Sequence, residues 1–65
     1  MDLTQFRMTE AFLVDGGRFM FGTEQMAQIA RNALLGGQGK IQTVLAVETP
    51  KGLVVTNPLV VLGEQ

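Results

Sequence analysis

A chain of 65 residues with 46% apolar side chains and a net charge of −1 reads as one small domain, 1–65, with no strong field of either sign. It has no cysteine and no histidine, which excludes disulfides and the usual zinc ligand sets. Five Lys and Arg against six Asp and Glu is not the basic excess of a nucleic-acid module.

Residues 6–14 alternate. Phe6, Met8, Phe12 and Val14 fall on one side with Glu10 among them, and Gln5, Arg7, Thr9, Ala11 and Leu13 fall on the other. A period of two is the mark of a half-buried strand. Asp15-Gly16-Gly17 supplies the positive φ angles of a tight hairpin, and Arg18-Phe19-Met20-Phe21 returns as the second strand. A two-residue loop at Asp15-Gly16 would set Phe12 opposite Phe19, a favourable cross-strand pair.

Residues 24–35 follow as an amphipathic helix. Thr23 suits the N-cap, where its hydroxyl can accept from a free amide of the first turn, and Glu24 places negative charge at the positive end of the helix dipole. Met26, Ile29, Ala30, Ala33 and Leu34 recur at helical spacing, while Gln25, Gln28, Arg31 and Asn32 lie on the other side. The apolar stripe, with Met26 in it, is expected to face the core, its alanines letting the helix lie close. Gly36-Gly37 ends the helix through a left-handed cap.

Ile41 to Thr49 reads as a third strand. Ile41, Thr43, Leu45 and Val47 share one face, and Val44 and Ala46 make the centre of the other face apolar as well, which implies cover on both sides. Thr49-Pro50-Lys51-Gly52 is a turn, with Pro50 presetting φ and Gly52 free to take a positive one. Leu53–Thr56 returns antiparallel. Pro58 has no amide to donate and interrupts regular pairing. Leu59 to Leu62 then forms a fifth strand or an extension, so that Leu-Val-Val occurs twice, six residues apart. The order is β-β-α-β-β(-β): an α+β fold, a small antiparallel sheet with one helix packed on one face.

Candidate chemistry is sparse. Without His, Cys or Tyr, the commonest general base and the strongest side-chain nucleophile are missing, and no catalysis, cofactor or metal is expected. Glu10 lies on the apolar side of the first strand. Burial would raise its pKa and suit it to acid–base work; a place at the sheet margin, or pairing with Arg18 or Arg31, makes it structural, and that is the expectation. Gly36-Gly37-Gln38-Gly39-Lys40 fails as a phosphate loop. Leu34 stands where the first glycine belongs, Ile41 where Ser or Thr belongs, and the loop leads from helix to strand.

A domain this short usually needs disulfides, a metal or another chain to be stable. With the first two excluded and a mean hydropathy of +0.24, association remains. The expectation is a homo-oligomer, dimer or higher, that binds a protein partner. Its self-association surface is read as Met20, Val44, Ala46, Val54, Leu59, Val60, Val61 and Leu62, with the last four residues adding to the sheet edge of a neighbouring subunit. Two other readings remain: a small nucleic-acid-binding regulator, and a small-ligand-binding protein with an intersubunit pocket. No apolar run approaches the ~18 residues of a membrane helix, and Met1-Asp2-Leu3-Thr4-Gln5 lacks the basic segment of a signal peptide, so a cytoplasmic location without membrane contact is expected.

Overall fold

The computed structural model describes residues 7–64; Gln5 and Phe6, expected to open the first strand, lie outside them. The elements are β1 (Arg7–Val14), β2 (Phe19–Phe21), α1 (Glu24–Leu35), β3 (Ile41–Thr49), β4 (Gly52–Val55) and β5 (Val61–Glu64). Among the described residues the strands form one curled antiparallel sheet in the order β2-β1-β3-β4, with β5 also on β3. One helix on an antiparallel sheet is the α+β arrangement expected from the sequence.

The first hairpin turns later than a two-residue loop would allow. Phe12 pairs with Phe21, Leu13 with Met20 and Val14 with Phe19, so Phe12 does not face Phe19. The loop is Asp15 to Arg18, closed by Arg18 N–H donating to Asp15 O at 3.3 Å. Asp15 itself has φ +58°, ahead of Gly16 and Gly17, also positive. Asp is among the few non-glycine residues that accept this region, and three such residues in succession make the longer turn. The Arg18 guanidinium sits 5.6 Å from the centre of the Phe19 ring, within cation–π range.

Both ends of α1 are closed as local chemistry dictates. Thr23 Oγ1 accepts from Met26 N–H at 3.2 Å, a cap of the kind worth about 1 kcal/mol. Gly36 has φ +63° and its amide donates to Arg31 O, satisfying a carbonyl that the helix end would leave free.

Two apolar clusters lie on opposite faces of the sheet. Under the helix, buried Val14, Ala27 and Ile41 pack with half-buried Phe12, Phe19, Phe21 and Leu35. These three phenylalanines pack against the helix-side core. On the other face Ala11, Leu13, Val44 and Ala46 are buried, with Leu53 and Val55 against them. Cover on this face comes from the curl of the sheet, which brings Leu53 of β4 beside Gly22 at the end of β2. Fully burying a side chain such as Val14, Ile41 or Val44 contributes about 1.5–3 kcal/mol.

β4 and β5 run along the same side of β3. Val55 pairs with Ala46 and Val61 with Val44, and Leu45 between them serves both strands. Its carbonyl accepts from Thr56 N–H at 3.4 Å and its amide donates to Val60 O at 2.9 Å. Asn57, cis-Pro58 and Leu59 loop out between these bonds, and Thr56 Oγ1–H donates to Pro58 O at 3.0 Å. The second Leu-Val-Val therefore continues the first along one template strand. This corrects the expected addition to a neighbour's edge: β5 pairs within its own chain, because a loop centred on Pro58 lets the chain resume antiparallel to β3 without a proline amide in the ladder.

Candidate functional site

The helix is rotated away from its expected setting. Ala27 meets the sheet and is buried, with Glu24, Gln28, Arg31 and Leu35 half-buried around it. At 3.6 residues per turn, Met26, Ile29 and Ala33 lie opposite that stripe. Met26 is 52% exposed and Ile29 54%, so this part of the apolar stripe faces outward and Met26 is not core. Leu34, seven residues on from Ala27 and on its side of the helix, is exposed in the last turn. Half-buried Gln28 and Arg31 take the inward positions instead, as long side chains can when their stems cover apolar surface. The hydrogen bond from Gln28 Nε2 to Glu24 Oε1, 3.1 Å, satisfies part of this polar flank. Arg31 Nε is shut off from solvent with no hydrogen-bond partner among the described residues.

The sheet face beneath α1 is only partly covered. The helix packs on β1 and β2. Register places Met8 beside Val47 and Val47 beside Val54, a row across β1, β3 and β4 on the same face as Phe12 and Val14. Met8 is 57% exposed and Val54 53%. Helix stripe and sheet row together leave two apolar surfaces on one side of the molecule, with exposed Glu10 beside the row on the same sheet face.

The residues predicted for self-association do not form one surface. Val44 and Ala46 are fully buried, sealed inside the chain by the curl of the sheet, and cannot present a docking face. Val54 pairs with Val47 and so points to the opposite face from Ala46. Met20, Leu59, Val60, Val61 and Leu62 are exposed, with Met20 on β2 and the last four on β5 and the loop before it. Met8, Ile29 and Leu34 were not among the predicted site residues. Their signal was present in the helical and strand periodicities, where it reads equally as core.

Polar features are modest. Glu10 is exposed, so burial does not fit it for acid–base work, and the ion pairs of Arg18 and Lys40 involve Asp15 and Glu64 instead. An open cleft of about 440 Å³ lies between the end of β2 and the β3–β4 turn, lined by Thr9, Glu10, Gly22, Glu48, Thr49, Pro50, Gly52 and Leu53. In that turn Lys51 N–H donates to Thr49 Oγ1 at 3.1 Å and Thr49 Oγ1–H donates to Gly52 O at 2.9 Å. At the start of β3, Lys40 Nζ lies 3.0 Å from Glu64 Oε1. The hydrogen bond and charge of Lys40, with a further hydrogen bond from Gln42, hold the Glu64 carboxyl below its ordinary value. Among the described residues no group of three or more His, Cys, Asp or Glu is placed to hold a metal, and no helix is long and apolar enough to cross a membrane.

No family model matches the chain, and no curated protein or solved structure resembles it significantly.

Proposed function

We propose that the protein is a small self-associating module that acts by binding other protein surfaces and performs no catalysis of its own. The observation that carries this reading is the outward apolar stripe of α1. Met26 and Ile29, each more than half exposed on the outward side of one short helix, beside a sheet row in which Met8 and Val54 are more than half exposed, exceed the scattered hydrophobic residues of an ordinary surface. Composition supports it, because a 65-residue chain without cysteine or histidine depends on another chain for stability beyond its own small core.

The aromatic rings support this reading over nucleic-acid binding. Phe12, Phe19 and Phe21 are half-buried against the helix-side core rather than spread as a stacking platform, and the chain lacks a basic excess. The test is light scattering on the native chain beside Ile29→Lys. Ile29 is exposed, so the variant retains its fold by circular dichroism. The native chain elutes at a multiple of 7.0 kDa and the variant at the monomer mass. Equal masses for the two folded proteins would contradict the proposal.

A further inference from the structure

The two bare apolar surfaces on the helix side have the properties of complementary halves. Domains are built from two or three packed layers, and one chain supplies a full sheet but a helix that covers only part of it. The helix, in turn, offers its apolar stripe away from its own sheet. We propose that two copies associate face to face about a two-fold axis, the α1 stripe of each lying on the bare Met8–Val47–Val54 row of the other. The result is a three-layer assembly of sheet, paired helices and sheet. This inference rests on the self-associating reading above and adds the partner, a second copy, and its docking geometry.

Three observations favour a second copy over another occupant. A two-fold interface requires that whatever surface i meets on its partner, the partner's surface i meets in return, and this chain carries both a helix stripe without a sheet and a sheet row without a helix. The area is sufficient. From their fractional exposures, Met8, Met26, Ile29 and Val54 present roughly 400 Å² of surface, and in an interface about 60% apolar that corresponds to about 670 Å² per partner, within the range of standard stable interfaces. Both surfaces are also uncharged at their centres, as the interior of such an interface must be. Ala33 on the exposed arc allows close approach of the paired layers. Exposed Glu10 lies on the sheet face beside the row, and Gln25 and Asn32 flank the helix stripe, so polar groups fall at the margin of each half.

The chain contains no cysteine, which makes disulfide trapping clean. Ile29→Cys, Val54→Cys and Leu62→Cys are prepared as full-length single variants at exposed positions, checked for native circular dichroism, and oxidised alone and in equimolar pairs. The expected result is a disulfide-linked dimer from the Ile29→Cys and Val54→Cys mixture, at least about five-fold above either alone, since a disulfide requires Cα atoms within about 7 Å. A dimer in sedimentation that links chiefly through Ile29→Cys with itself overturns the geometry in favour of simple helix pairing. One that links chiefly through Leu62→Cys overturns it in favour of edge pairing by β5, and a dimer that links in none of these combinations overturns it as well. A folded monomer overturns both this geometry and the self-associating reading, so the two failures are distinguishable.

Discussion

Val44 is the position where the fold makes its sharpest demand. It lies in the middle of β3, fully buried among Ala11, Leu13 and Ala46, while its cross-strand partner Val61 is exposed. Val44→Ala removes two methyl groups, about 1.6 kcal/mol of transfer free energy at ~0.8 kcal/mol per buried carbon. The cavity left in a close-packed cluster raises the loss to about 2–3 kcal/mol. A domain of this size has about 3–10 kcal/mol in total, and its melting temperature moves about 4–8 °C per kcal/mol. The expected drop is therefore about 8–24 °C, read by circular dichroism melting of native and variant at matched concentration. Val61→Ala, across the ladder, is expected to cost less than about 1 kcal/mol. Because Val44 is covered by its own chain, the deficit is the same at every protein concentration. A Val44→Ala melt within ~2 °C of native, or a deficit that vanishes on dilution, would refute the intrachain cover of this face.

Acid acts on the C-terminal strand through Glu64. Glu64 has a folded pKa depressed below 4.5 by Lys40 and then Gln42, so its contribution is present above 4.5 and fades as pH falls through the lower folded value. A carboxylate-resolved NMR titration should place the Glu64 midpoint below the ordinary carboxylate value, and Lys40→Ala should move it upward; an unmoved midpoint would remove Lys40 as the cause. Gly36→Ala should lower stability by about 1 kcal/mol in a denaturant titration, since φ is +63° with open space around the position and the cost is conformational rather than steric. Gly36→Asn should recover part of it, and equal stability of all three would contradict the left-handed cap. Truncation after Asn57 should speed exchange of the Leu45 amide, which then loses its Val60 acceptor; unchanged protection would contradict the β5 pairing.

The parts of this fold that were legible in the sequence are those set by neighbours along the chain. Thr23 and Gly36 bound the helix because capping is a property of a few adjacent residues, and Pro50 and Gly52 mark the β3–β4 turn for the same reason. The hairpin register was missed by a local margin: Asp15 joins the two glycines at positive φ, and a four-residue loop replaces a two-residue one. The other misses are non-local. Periodicity groups Met26, Ile29, Ala33 and Leu34 on one side of a helix without saying which layer lies against them. Inward Gln28 and Arg31 can be recognised only once the sheet is in place. Val44 and Ala46 were correctly seen to need cover, but the curl that carries Leu53 and Val55 over them is a property of the whole sheet. The repeated Leu-Val-Val raised the question of where the second copy pairs. The answer depended on Leu45 satisfying both sides of the Pro58 loop, which no local rule specifies.

Sedimentation equilibrium of the native chain at about 1–100 μM, a range that brackets micromolar dissociation constants, reads whether the apolar helix side receives a second copy of the chain. The expectation is a mass that rises with concentration to twice that of the 7.0 kDa chain. A folded species that remains at 7.0 kDa throughout would contradict it.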